Sequence, residues 1–340
     1  MKKLVAMMLA ALMVLGLAAC GEQPEQTTNA PTASTAGTES SATTPAASES
    51  ENKKLLIGVN MGSIDQSYYN YLRMGLEEEL NADTTELYVT YHEWSVDTQI
   101  RQVEDFITMG CDLIVVVCAD PEGVLPALTA AKEAGVPVIE MDCKSNYPEY
   151  SIAQFISDDY DCGYQCGKAI AEAMGGEGVV QSYVITNTIN SQLRLKGFSE
   201  AIAEYPGIDN VYNATEKFDA VTAQTVLENM LIAHPETKGL FCSNDKIASA
   251  AVNFFKANNM TGVYLGHAAG GTRETVYTWL QEGWDYCAYD QNPVKMGAAV
   301  MKAIYDYFEN GTTYSENTYI PGELRFKGDE YICDPVYYKD

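Results

Sequence analysis

Short apolar runs alternate with amphipathic stretches along most of the chain. The runs at 55–61 and 112–117 are apolar almost without a break, which is typical of strands buried on both faces. Between such runs, apolar side chains recur at helical spacing, as Ile100, Val103 and Ile107 do. The alternation predicts doubly wound parallel sheets covered by helices. Because it occurs in two consecutive series, we expect two α/β lobes.

The first residues carry a targeting pattern. Lys2 and Lys3 precede an uncharged apolar stretch at 4–19, which is short for a membrane-spanning helix and suits a signal peptide. The stretch leads into Leu-Ala-Ala-Cys at Cys20, which resembles the lipobox of bacterial lipoproteins. The resemblance implies cleavage of residues 1–19, a lipid on Cys20 and anchoring on the extracytoplasmic face of the cell membrane. An ordinary secretory signal is the alternative.

The segment that follows has a low-complexity composition. Residues 20–52 are rich in Thr, Ser, Ala, Glu and Pro and lack the large apolar side chains that build a core. We expect a disordered, lipid-anchored tether there, with the folded body beginning near Lys53.

Composition narrows the classes of partner. The chain has 47 acidic and 21 basic side chains and a formal charge of −26, so its surface should repel phosphates, and nucleic-acid binding is not expected. The cysteines after Cys20 have no metal-site spacing, and several lie in apolar runs. We therefore predict free, buried thiols and no metal site, although the compartment would permit disulfides.

Polar and aromatic side chains gather where the predicted strands end. Ligands of open parallel sheets bind beyond the carboxyl ends of the strands. Asp142, Asn244 and Gln291 each follow a predicted strand directly. Both series contribute such residues, as a cleft between two lobes requires. The candidate ligand-binding residues are Gln66, Tyr68, Tyr69, Asp142, Arg194, Phe218, Asn244 and Gln291.

Six short segments carry a family resemblance. They are IGVNMGSIDQSYY, AKEAGVPVIEMD, ISDDYDCGYQCGKAI, RLKGF, AHPETKGLFCSND and QNPVKMG, in this order along the chain. Together they resemble the ribose-type substrate-binding proteins of ABC sugar importers, which have the type I periplasmic-binding fold. The resemblance runs from about residue 55 to the end of the chain.

The resemblance implies a role for each candidate. Tyr68 and Tyr69 match paired aromatic rings that sandwich a sugar, and Phe218 matches a ring from the other lobe. Asp142 matches an acid that accepts hydrogen bonds from sugar hydroxyls. The remaining matches are polar ligand contacts at Gln66, Arg194, Asn244 and Gln291. Such a set suits a sugar, whose C–H faces pack on aromatic rings and whose hydroxyls need fixed partners.

The resemblance also implies an organisation and a set of partners. Three chain crossings would join a first lobe of 53–157 plus 292–320 to a second lobe of 158–291 plus 321–340. The implied partners are a small-molecule ligand, an ABC permease with its ATPase, and the membrane through the lipid on Cys20. We expect a monomer that needs no cofactor.

Two positions depart from the family pattern. Cys143 stands where the family often has arginine after the strand-four aspartate. His267-Ala268-Ala269 stands where it often has Phe-Asp-Gly. The pocket should therefore be less charged and more aromatic than a pentose site, which leaves a modified sugar or a nucleoside-like ligand open.

The sequence lacks the motifs of the common enzyme classes. No nucleophile elbow, zinc-protease motif, phosphate-binding loop or dinucleotide fingerprint occurs in the sequence, so we do not expect an enzyme. The remaining alternative is a sensor that presents its ligand to a membrane receptor instead of a permease.

Overall fold

The computed structural model describes residues 53–186, 188–216, 219–270, 272–314 and 317–330. Two six-stranded sheets organise this part of the chain. The strands are β1 Leu55–Met61, β2 Thr85–Tyr91, β3 Leu113–Val116, β4 Val138–Met141, β5 Ala153–Ser157, β6 Glu177–Ile185, β7 Gly207–Thr215, β8 Thr237–Cys242, β9 Tyr264–Ala269, β10 Cys287–Asp290, β11 Asn317–Ile320 and β12 Glu323–Phe326.

The first sheet is parallel throughout and has the order β11-β5-β4-β3-β1-β2. Its central strands are buried on both faces, as their continuous apolar sequence predicts. The edge strand β11 comes from near the end of the described chain and pairs with β5, with Asn317 opposite Gln154. A late segment therefore returns to the first sheet.

The second sheet has the order β12-β10-β9-β8-β6-β7, and β12 is its one antiparallel strand in the described chain. β11 ends at Ile320 and β12 begins at Glu323, so only two residues separate the sheets. β12 therefore starts at the edge where the other strands end and runs away from it. The prediction of two doubly wound lobes is confirmed, with this antiparallel edge added.

Helices cover the sheets. The helices are α1 Ser67–Glu78, α2 Val96–Met109, α3 Leu125–Glu133, α4 Asp159–Ala173, α5 Ile189–Ala203, α6 Ala220–Ala233, α7 Asp245–Asn258, α8 Trp279–Glu282 and α9 Pro293–Asn310. A 3-10 turn at Pro148–Tyr150 and a π-helical turn at Glu274–Thr278 complete the described helical segments. Asp120 accepts from the amides of Glu122 and Gly123 in a turn, and α3 begins at Leu125.

Glycines allow α4 and α5 to approach closely. A Cβ on Gly163 would lie 1.8 Å from the carbonyl oxygen of Arg194, and a Cβ on Gly197 would lie 2.0 Å from that of Tyr160. No side chain fits at either position. The close contact of the two helices fixes the backbone that carries Arg194.

The chain passes between the sheets at three places, after β5, after β10 and after β11. Two of these passages are joined directly, because Asn292 donates from Nδ2 to the carbonyl oxygen of Pro321 over 2.8 Å. Asn292 has φ 53°, a left-handed conformation that asparagine tolerates. The lobe boundaries given above stay a prediction at the level of individual residues.

The cysteines of the described chain are buried free thiols at positions 111, 118, 143, 162, 166, 242 and 287. Cys20 and Cys333 lie outside the described residues. No helix in the described ranges combines the length and the apolar character needed to cross a bilayer.

Candidate ligand-binding site

A cavity of about 390 Å³ lies where the carboxyl ends of the two sheets face each other. The predicted residues that line it are Gln66, Tyr68, Tyr69, Asp142, Arg194, Asn244 and Gln291. Phe218 lies outside the described residues. The lining also includes residues outside the set of eight candidates, among them Trp94, Asp245, Lys246, Thr275 and Trp279.

Asp142 is the acid of the first lobe in this cavity. It directly follows β4, has φ 65° and is 4% exposed. Its carboxylate accepts hydrogen bonds from the hydroxyls of Tyr68 and Tyr69 over 3.1 and 3.2 Å, and from the thiol of Cys143 over 3.3 Å. Burial raises the pKa of Asp142 to about 6, and the charge of Asp159 adds to this although Arg194 opposes it.

A second buried carboxylate shapes the loop that holds Asp142. Glu140 accepts from the amide of Ser145 over 2.5 Å, from its hydroxyl over 3.0 Å and from Gln154 over 3.0 Å. Glu140 has no exposed surface, so these donors replace water. The bonds fold the chain back just after Asp142 and support its left-handed backbone. An acid inside the apolar run Val-Ile-Glu-Met was the available sequence signal.

Arg194 lies on the other side of the cavity, where its guanidinium is held by the protein. Nε donates to Asp159 over 2.7 Å, and Nη1 donates to the carbonyl oxygen of Ser243 over 2.7 Å. Nη2 donates to Oε1 of Gln291 over 2.7 Å. Burial would lower the pKa of Arg194, but the charge of Asp159 raises it above its usual value. The guanidinium of Arg194 is therefore charged and held in one orientation, and the carboxylate of Asp159 balances its charge.

Aromatic rings form one wall. The ring centroids of Tyr68 and Tyr69 are 5.4 Å apart with planes at 89°, and those of Tyr69 and Trp94 are 5.7 Å apart at 66°. The indole N–H of Trp94 donates to Oε1 of Gln66 over 2.9 Å. The predicted tyrosine pair thus belongs to a larger cluster of three rings.

Trp94 is held in the wall by an unusual backbone. Glu93 and Trp94 have φ of 50° and 60°, in the left-handed region that non-glycine residues rarely adopt. Strain of this kind persists where surrounding structure enforces it, commonly at functional sites. The amide of Trp94 donates to Nδ1 of His92 over 3.1 Å, and Glu93 accepts from the hydroxyl of Ser63. Burial lowers the pKa of His92 to about 4, so the imidazole is neutral and can accept this bond.

Two of the predicted polar ligand contacts also form hydrogen bonds within the protein. Asn244 caps α7 and accepts from the amide of Ile247 over 3.1 Å. Oε1 of Gln291 accepts from Arg194. Both still line the cavity, so their role as ligand contacts stays a prediction.

A π-helical turn lies beside the cavity. The turn spans Glu274–Thr278 and is followed by the short α8. Thr275 and Trp279 both line the cavity, and the hydroxyls of Thr272 and Thr275 are 2.9 Å apart. π-Helical turns are frequent at functional sites because they change which side chains face inward.

Two α/β lobes around a buried cavity of aromatic and polar side chains define a solute-binding protein of the cleft type. The family comparison agrees, because residues 57–312 match the periplasmic binding protein domain. The chain therefore belongs to this family. Its members bind a solute without transforming it, so the chain is a binding protein and not an enzyme.

Individual relatives are distant in sequence. A D-apiose import binding protein of Paraburkholderia graminis is 28% identical over 52% of this chain, a match that spans 57% of that protein. The ribose import binding protein of Bacillus subtilis is 25% identical over 64% of this chain and 72% of its own.

Solved structures share the architecture. An ABC transporter periplasmic solute binding protein from Actinobacillus succinogenes, determined with bound D-allose, has a TM-score of 0.74 and 25% identity, covering 81% of this chain and 98% of its own. An ABC transporter solute binding protein from Bacillus halodurans with bound myo-inositol has a TM-score of 0.74 at 22% identity, covering 82% and 96%. Because its identity is only 22%, the second match supports the shared fold and nothing more.

Proposed function

We propose that the protein captures a sugar or a related polyol in the cavity between its lobes and delivers it to an ABC permease with its ATPase. The observation that carries the proposal is the convergence of Tyr68, Tyr69 and Asp142 from one lobe with Arg194 and Gln291 from the other. Relatives named for apiose, ribose and xylitol support a small polyhydroxylated ligand.

The ligand contacts in this proposal follow from the chemistry of each group. Aromatic rings pack on the C–H face of a sugar, and Asp142 accepts from its hydroxyls. The donors come from Arg194 and the amide side chains of Gln66, Asn244 and Gln291. We include Phe218 as the ring of the second lobe.

Binding would favour a closed arrangement of the lobes. A ligand that touches both lobes gains differential affinity for the state in which both can reach it. Closure would exclude water and strengthen each polar contact. The protein would act as a monomer, with lobes of 53–157 plus 292–320 and 158–291 plus 321–340.

A thermal-shift screen against sugars, polyols and nucleosides tests the ligand class. A bound ligand at about 100 times its dissociation constant stabilises the protein by about 2.7 kcal/mol. For a chain of this size the melting temperature should rise by roughly 5–10 °C. Shifts with nucleosides and none with sugars or polyols would refute the sugar proposal.

We also propose that Cys20 carries a lipid that anchors the protein outside the cell membrane. The support is the uncharged apolar stretch ending in Leu-Ala-Ala-Cys. The variant Cys20→Ala should lose incorporation of labelled fatty acid and move out of the membrane fraction or keep its signal peptide. A variant processed and retained like the wild type would contradict the anchor.

A further inference from the structure

A buried row of charged side chains lies behind the cavity wall of the second lobe. His267, on β9, has no exposed surface. Its Nδ1 lies 3.0 Å from Oδ2 of Asp285, whose side chain is also fully buried. Its Nε2 lies 3.3 Å from Oδ1 of Asp245, whose side chain is 26% exposed. Only Asp245, at the start of α7, lines the cavity.

The imidazole of this row is a cation. Burial alone would lower the pKa of His267, but the carboxylates of Asp285 and Asp245 outweigh burial and raise it to about 10. Two buried thiols lie close to the row. Cys166, on α4, donates to the carbonyl oxygen of His267 over 3.7 Å, and the charge of Asp285 adds to the raised pKa of Cys242, on β8. Burial raises the pKa of both thiols, so they stay neutral. Burial also raises the pKa of the Asp285 carboxyl, although the charge of His267 opposes this. The row reaches the cavity through Asp245.

The geometry of Asp245 leaves one oxygen on the cavity side. Oδ1 is buried towards His267, and Oδ2 accepts from the amide of Gly270 over 2.7 Å. A Cβ on Gly270 would lie 2.4 Å from Oδ2 and 3.2 Å from Cβ of Tyr68. Tyr68 belongs to the first lobe, so Asp245 stands where the two lobes approach each other.

A structural role alone does not account for this row. One backbone amide needs one acceptor, which a neutral asparagine would supply. Burying ions carries a desolvation penalty of several kcal/mol each in proteins. The cation Lys246 also lines the cavity, but it lies among the carboxylates of Asp219, Asp65 and Glu93. The row provides a carboxylate acceptor that is held in place at the cavity.

We propose that Asp245, held in place by the buried His267–Asp285 pair, is the ligand-binding carboxylate of the second lobe. This inference rests on the proposed function. The cavity then holds an acid from each lobe, Asp142 and Asp245. The matching ligand presents hydroxyl or ammonium donors on two opposite edges, and both acids repel anionic sugars such as uronates.

The variant Asp245→Asn tests the carboxylate, because asparagine keeps an acceptor for Gly270 and removes the charge. Calorimetric titrations at pH 7 use D-ribose, D-allose, xylitol and myo-inositol as probes. We expect the best probe to bind at least ~10-fold more weakly to the variant, the scale of one lost charged hydrogen bond. The matched control Asp97→Asn removes an exposed carboxylate from the first turn of α2, outside the cavity lining, and should change affinity less than about twofold.

The variant Asp285→Asn tests the positioning role of the pair. Without Asp285 the pKa of His267 falls, because the largest favourable charge is gone. As pH rises from 7 to 9, the imidazole of the variant loses its charge and holds Asp245 less firmly, so probe affinity should weaken. The affinity of the wild type should not change over this range. A purely structural role would lower the melting temperature without creating this pH dependence, and that result would overturn the positioning role.

The outcomes separate the inference from the proposed function. If a probe binds the wild type and Asp245→Asn equally well, the inference is wrong and the proposed function stands. If no probe binds the wild type, both fail. The Asp245→Asn comparison stands by itself should Asp285→Asn not fold.

Discussion

Arg194 donates from Nε to Oδ1 of Asp159 over 2.7 Å, and both side chains are buried. Asp159 opens α4 and Arg194 lies on α5, so the pair belongs to the second lobe alone. The guanidinium therefore has its counter-charge and its orientation before any ligand arrives. Such preorganisation lowers the entropy that binding must overcome.

The first prediction concerns this pair. Asp159→Asn should lower the free energy of unfolding by roughly 3 kcal/mol, because it leaves Arg194 buried without a counter-charge. Urea denaturation of the ligand-free protein measures the change. The control Glu77→Gln breaks the exposed Arg73–Glu77 pair and should cost about 0.5 kcal/mol or less. Equal effects of the two variants would contradict the account.

The second prediction concerns the contribution of Asp142 to the stability of the protein. Its pKa of about 6 in the folded protein lies above the ordinary value of 3.8, so its contribution to stability is full below pH 4 and lost as pH rises through 6. Asp142→Asn should therefore stabilise the ligand-free protein by roughly 3 kcal/mol at pH 8 and by little at pH 4. Asparagine also tolerates the left-handed backbone.

Melting temperatures at the two pH values measure this effect. The expected rise at pH 8 is roughly 5–10 °C for a protein of this size. Asp209→Asn, at an exposed position, serves as the control and should leave the melting temperature unchanged. An Asp142→Asn protein that is less stable than the wild type at pH 8 would contradict the pKa assignment.

The third prediction concerns Trp94. A ligand packed on this ring should change its fluorescence. Trp94→Phe should remove the share of the signal that does not come from Trp279, and it should weaken binding several-fold, since the Nε1–H bond to Gln66 is lost. Trp284→Phe is the matched control, because Trp284 does not line the cavity. Fluorescence titration with the best-binding sugar measures both variants. An unchanged signal in Trp94→Phe would remove Trp94 from the site.

The fourth prediction concerns His267 and alkaline pH. Its pKa of about 10 in the folded protein lies above the ordinary 6.5, so its stabilising contribution is complete below pH 6.5 and is lost as pH rises through 10. The free energy of unfolding should fall over this window in the wild type and fall less in His267→Gln. His234→Gln, at the end of α6, is the control and should keep the wild-type slope. Parallel curves for all three proteins would contradict the charged state of His267.

Sequence patterns were sufficient for the part of the site that follows from strand ends. Asp142 and Gln291 could be placed because each lies just past a largely apolar strand, and parallel strands end at one edge of a sheet. The strand pattern also predicted both sheets. The residues next to each position in the sequence were enough to place it.

The missed residues depend on geometry that no local pattern carries. Trp94 faces the cavity because two successive left-handed residues turn the chain there. His267 and Asp285 lie 18 positions apart and meet only because β9 and β10 pair. The pairing of Asp159 with Arg194 follows from the packing of α4 on α5.

Calorimetric titration of the purified protein with the best-binding sugar or polyol, beside the Asp142→Asn variant, tests the central claim most directly. The account predicts one site with micromolar or tighter affinity in the wild type, and at least ~10-fold weaker binding when the charged acceptor is removed. The variant should fold and melt no lower than the wild type, so a loss of affinity would report the site itself. Equal binding by both proteins would contradict the assignment of the cavity as the ligand site.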